Sequence, residues 1–152
     1  MADAVAQLDA ALDAFEPAIA EQARAALAFF RERFPNAHLL AYDNYNALAI
    51  GFASGEKQST IAFSVTLYPR WVSLFFTSGT ELVDPAKLLV GTGTRIRHVV
   101  LTDGLTHEED AVLGLVDQAI ANLEPPVNPN EPGRLIMKSI SPKKRPRRPQ
   151  SQ

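Results

Sequence analysis

The chain contains no cysteine, which excludes disulfides, zinc–thiolate and iron–sulfur ligation and thiol catalysis. Histidine is scarce: His38, His98 and His107 are scattered and form no His-x-x-x-His or Glu-x-x-His pair. A preformed transition-metal site is therefore not expected. The serines stand in no Gly-x-Ser-x-Gly setting, and no nucleophile–base–acid set is visible, so the expectation is a protein without catalysis. No apolar run approaches membrane-spanning length. Basic residues are missing until Arg24, so the N-terminus lacks the basic start and apolar run of a signal peptide. These absences predict a cytoplasmic protein with no membrane contact.

The 152 residues suit one domain of ordinary size, with enough apolar content for a core. The net charge of −2 conceals an asymmetry. Residues 124–152 carry seven cations against two acids, +5, and residues 1–123 carry eight against fifteen, −7. The same C-terminal stretch holds seven of the eleven prolines. Backbone donors are missing there and apolar residues are few, so the expectation is a 1–123 domain followed by a disordered, Pro-rich basic tail. Leu135-Ile136-Met137 is the tail's one apolar patch, suited to docking on the domain.

The domain is organised around residues 48–101. Ile61 to Leu67 and Val72 to Phe76 alternate and are rich in β-branched and aromatic residues. Closing the pair over Pro69-Arg70 sets Leu67 against Val72, Val65 against Leu74 and Phe63 against Phe76, with Tyr68 beside Trp71. A one-residue slip would move every large side chain to the other face. Leu48, Ile50 and Phe52 share a face on the preceding strand, which predicts Phe52 opposite Ile61 and Ile50 opposite Phe63. Arg95 to Leu101 reads as the next strand, and His38 to Tyr42 as a short strand at the sheet edge.

Before the sheet, Val5, Leu8, Leu12, Phe15 and Ile19 recur at helical spacing. Pro17 breaks that run and starts a second one to Arg33. Asp84-Pro85 to Gly91 carries the N-cap, N1 and stop signals of a two-turn helix. Thr106 and Glu109 predict a capping box opening a helix to about Leu123. His107 then falls on the surface. The fold class is α+β: helices at both ends packed on a five-stranded antiparallel sheet.

The second face of the meander carries Ala47, Ala49, Ala62, Ser64 and Ser73 around Tyr68, Trp71 and Phe75. Two readings stay open: a lightly apolar surface covered by the tail, or a shallow face for ligand binding or homodimer formation. His98 sits beside Arg97, as a satisfied sheet residue or as part of that site.

Several short motifs add a family. They are Asn44-Tyr45-Asn46-Ala47-Leu48, Tyr68-Pro69-Arg70-Trp71-Val72, Leu74-Phe75-Phe76, Gly79, Glu81-Leu82, Asp84-Pro85, Leu88-Leu89, Gly91-Thr92-Gly93 and Arg97-His98-Val99. Together they resemble the YdhG-like family, a domain of unknown function, over about residues 5 to 123. The resemblance implies a frataxin-like fold. It also implies that one branch of such proteins serves as a frataxin-like iron chaperone, so iron is a cofactor implied by the resemblance alone.

For that role the residues to watch are Asp9, Asp13 and Glu16 on the first helix, hard oxygen donors suited to iron. Read without the family, they are a solvated helix face. The tail offers Lys143, Lys144, Arg145, Arg147 and Arg148. This run resembles a nuclear import signal and could hold phosphates without sequence preference. The other reading is a solubilising tail that contacts the acidic body. Its arginines alternate with proline rather than aromatics, so base stacking is not expected. The functional expectation is a small binding or interaction module, with a frataxin-like iron chaperone as the alternative.

Overall fold

The computed structural model describes residues 3–149. Two helices open the chain, α1 (Ala4–Asp13) and α2 (Pro17–Arg33). Asp3 caps α1 by accepting from Ala6 N at 2.8 Å. Pro17 starts α2 where its missing N–H costs nothing, and Arg31 and Arg33 sit in the last turn, where the helix dipole favours cations.

Then come β1 (His38–Asp43), β2 (Leu48–Ala53), β3 (Ile61–Leu67), β4 (Val72–Phe76), β5 (Arg97–Leu101), α3 (Asp110–Ala121) and β6 (Leu135–Ile140). The strand order is β5-β4-β3-β2-β1-β6. Strands β1 to β5 are the expected antiparallel set. The expectation of five strands falls short by one, because β6 adds to β1 in parallel. β1 is consequently an inner strand, not the edge.

The hairpin register is the expected one: Leu67 faces Val72, Val65 faces Leu74 and Phe63 faces Phe76. The β2–β3 register differs by two residues. Phe52 faces Phe63 and Ile50 faces Val65, with an irregularity between Phe52 and Ala53. The faces are preserved because the shift is even. The turn between these strands takes a 3-10 segment, Gln58–Thr60. Thr60 Oγ1 ties that segment down by accepting from Gly55 N at 3.2 Å.

All three helices cover one face. Leu8, Leu12 and Phe15 of the N-terminal segment, Ala23, Ala26, Leu27 and Phe30 of α2, and Val112, Leu115 and Val116 of α3 join the large side chains of β2 to β5 in one core. Its centre is aromatic: Phe52 and Phe63 stack at 4.8 Å and Phe30 meets Phe63 edge-on at 5.1 Å. A smaller cluster of Leu40, Ala53 and Ile61, with Tyr42 and Ile136 against it, lies on the other face.

Three local expectations are corrected. Residues 84–91 form a turn, not a helix. The Asp84 carboxylate accepts from Leu88 N at 3.0 Å and Leu89 N at 2.9 Å, and Lys87 takes a left-handed φ of 55°. A short acidic side chain has outcompeted the helix for those donors. Val90 then bridges His98 through two backbone hydrogen bonds of 2.8 and 2.9 Å, covering part of the outer edge of β5. The capping box does not form: Glu109 N donates to Thr106 O at 3.3 Å, and α3 starts only at Asp110.

The third correction concerns residues 124–152, expected to be disordered beyond a domain ending at 123. Residues 135–140 are a strand of the same sheet. Gly133 makes the approach feasible: a Cβ there would collide with the Ala37 carbonyl, while Gly133 N donates to Pro35 O at 2.9 Å. His38, buried, accepts from Arg134 N through Nδ1 at 3.1 Å. Leu135 and Met137 pack on the main core.

Candidate ligand-binding cleft

After β6 the chain crosses the end of the sheet. Ser141 N donates to Asp43 O at 2.8 Å and Arg145 N to Tyr45 O at 2.9 Å. Asp43 is the anchor of this crossing. Its side chain is buried and accepts from Lys144 Nζ at 2.6 Å and from the Arg147 guanidinium at 2.9 Å. Arg147 is itself only 8% exposed. It also donates to the Asn44 and Tyr45 carbonyls and lies 5.5 Å over the Phe15 ring. Buried charge is tolerated when it is paired and hydrogen-bonded this fully.

Arg148 turns the other way. Its guanidinium donates to Ala14 O at 3.2 Å and Asp13 O at 3.3 Å, at the carbonyl end of α1, and lies 4.0 Å from Glu16. Lys144, Arg147 and Arg148, candidates for phosphate contact, are thus committed to the body of the protein. Lys143 and Arg145 make no side-chain hydrogen bond or ion pair among the described residues.

Opposite this segment stands the tip of the β3–β4 hairpin. Tyr68 N donates to Trp71 O at 2.9 Å, which closes the two-residue loop Pro69-Arg70. The two rings stack at 5.0 Å and 26°. Burial pushes the Tyr68 phenol up from its ordinary value, further toward the protonated form. Trp71 stays 42% exposed.

Between the two lies a cleft of about 700 Å³. One wall is Asn46, Tyr68, Pro69, Arg70 and Trp71, and the other is Arg145, Pro146, Arg148 and Pro149. Among the described residues, three arginines line it and no acid does. A hollow of about 210 Å³ near the end of α3 mixes Glu81 and Glu124 with Arg95, and lacks an aromatic platform of this kind.

The remaining predicted residues divide. Phe75 of β4, four residues along the chain from Trp71, and His98 of β5 stack at 4.9 Å. Arg97 does not join them. It pairs with Phe76 in the opposite row and donates to Gly93 O and Ile96 O, each at 2.7 Å. Asp9 and Asp13 both bind Arg24, the latter at 2.7 Å, and Glu16 faces Arg148. All three carboxylates are paired with arginines, Asp9 and Asp13 with the same one, and among the described residues no group of three or more His, Asp or Glu is placed to hold a metal. His107, expected on the surface, packs against Phe29 at 5.3 Å and Phe30 at 5.9 Å.

Sequence reading missed the cleft because its walls are over 70 residues apart. The arginines of the tail do alternate with proline, but the fold supplies the missing aromatics from the hairpin. Arg70 in the turn was a visible signal. A cation at a hairpin tip beside Tyr68 and Trp71 has no partner on its own strands. Among the described residues no helix is long and apolar enough to cross a membrane. Comparison with family models, with curated proteins and with solved structures found no match.

Proposed function

We propose that this chain is a small non-catalytic binding module of the YdhG-like, frataxin-like kind, and that its ligand is anionic. The observation that carries the reading is the cleft: three arginine side chains and a half-open aromatic stack, with no carboxylate among the described residues of either wall. Pockets of this size hold small molecules or a few residues of a larger partner, with a few placed polar groups fixing orientation. Arginine suits phosphate and carboxylate because its planar fork pairs with two oxygens at once. The site offers recognition without chemistry, since neither wall carries a nucleophile beside a base.

Calorimetry with inorganic tripolyphosphate at low salt tests this. Binding should be measurable and should weaken steeply as salt rises. The double substitution Arg70→Ala with Arg145→Ala should abolish it. No heat with the parent protein at low salt, or unchanged binding in the double variant, would end the reading.

A further inference from the structure

We propose that the cleft holds one nucleotide unit, with its base laid on the open side of the Tyr68–Trp71 stack and its phosphate between Arg70 and Arg145. This rests on the reading of the cleft as an anion seat and names the chemical class that fills it.

The two ends of a nucleotide match two features the cleft presents together. A base has a π-face that stacks on an aromatic ring whatever its sequence. The Tyr68–Trp71 pair, stacked at 5.0 Å with Trp71 42% exposed, is a pre-ordered platform for it. The pair costs little further entropy on binding, because the closed hairpin already fixes both rings. A phosphate needs cations that are not already spent. Arg148 is held by the carbonyls of Asp13 and Ala14, so it lends charge to the wall. Arg70 and Arg145, one on each wall, make no side-chain hydrogen bond or ion pair among the described residues, so their guanidinium donors face the ligand.

Position matters as much as charge. Arg145 is held at the cleft by its own N–H on Tyr45 O and by Asp43, which pins Lys144 and Arg147 on either side of it. The same latch therefore sets the distance between the phosphate side and the aromatic side. Asn46 adds an amide able to donate to and accept from a base edge. An acidic peptide would satisfy the arginines but leave the aromatic platform without a planar partner. A duplex would keep its bases stacked inside, so the unit is a free nucleotide or part of a single strand.

The test uses the full chain and fluorescein-labelled oligo(dA)6, followed by anisotropy at low salt. Trp71 is the one tryptophan, so its emission reports directly on the cleft and should be quenched on binding. An abasic hexamer with the same phosphates should bind about tenfold more weakly, because stacking is lost. Trp71→Ala should cost a similar factor, and Trp71→Phe should restore most of it. Arg70→Ala with Arg145→Ala should lower the slope of log affinity against log salt by about 0.7, the share of one phosphate contact on a single strand.

Unlabelled AMP in competition separates the sources. Displacement at micromolar levels makes the ligand a free nucleotide, and displacement by strand alone makes it single-stranded nucleic acid. Either result supports the assignment. Equal binding of the abasic and base-bearing hexamers overturns it, as does a hexaglutamate peptide that competes as well as oligo(dA)6. If tripolyphosphate still binds in those cases, the anion seat survives and only the nucleotide falls. If nothing binds, both fall.

Discussion

The two faces of the structure's assembly are held by different physics. On the helix side, α1, α2 and α3 dock through large apolar side chains, and the centre is five phenylalanines, Phe15, Phe30, Phe52, Phe63 and Phe76, each essentially buried. On the C-terminal side, β6 docks by backbone pairing to β1, and the segment after it by a buried carboxylate gripped by two cations. Apolar burial is tolerant of detail and roughly proportional to area. A buried ion pair is not: intact, it contributes little against its desolvation, but removal of one partner is costly. The core side is thus the source of stability, and the C-terminal side the source of a specific placement for Arg145.

Removing an aromatic from the core tests the first half of this contrast and should give the largest effect. Phe63 touches Phe30, Phe34, Phe52 and Phe76. Phe63→Ala should cost about 3–5 kcal/mol in chemical denaturation, the usual range for a buried aromatic. A loss under about 1 kcal/mol would contradict the cross-strand pairing with Phe76.

Asp43→Ala breaks the other half. Arg147 keeps its carbonyl partners and its place over Phe15, so the cost should fall at the low end for a broken buried pair, about 3 kcal/mol. Unlike the core variant, it should act locally first. Hydrogen exchange should rise in residues 135–148 before it rises in β3 and β4. Uniform acceleration across the whole sheet would show that the C-terminal segment is no separate unit. Deletion after Leu123 removes the same contacts wholesale and should lower the melting temperature, because it uncovers Leu40 and the edge of β1.

The two sides were not equally legible in the sequence. Alternation and the Pro69-Arg70 turn gave the β3–β4 register residue by residue, since local closure and a one-sided apolar pattern leave no second solution. The helix start at Pro17 was equally local. β6 was not local. Its partner strand lies nearly 100 residues earlier, and its own side chains read as a lone apolar patch among prolines. Composition pointed to disorder, and what overrode it was tertiary: an acid at the end of β1, Asp43, waiting for cations that the charge count left to solvent, to phosphate or to an unspecified contact with the acidic body. The same limit hid the cleft. Tyr68 and Trp71 were legible as a pair, Arg145 as a free cation, and their meeting only from the fold. Asp84 misled for a different reason, since an N-cap signature cannot say whether its carboxylate will hold one donor of a helix or two of a turn.

The smallest expected effect sharpens the contrast by pH. On the apolar side His107 lies against Phe29 and Phe30 at the entry to α3. Burial holds its imidazole below the ordinary value of 6.5, an effect that outweighs the opposing pull of Glu108. The folded protein therefore keeps His107 neutral at pH values where the unfolded chain takes up a proton. That contribution to stability is complete above about pH 6.5 and is lost as pH falls through the lower folded value. His107→Phe keeps an aromatic against Phe29 and Phe30 but cannot titrate. Its melting temperature should track the parent at pH 7.5 and decline less between pH 6.5 and 5. The carboxylates are common to both proteins, so the difference between the two curves isolates the imidazole. Parallel curves over that range would show that the ring is free to reach solvent when protonated, and would make the packing of His107 on the two phenylalanines incidental to stability.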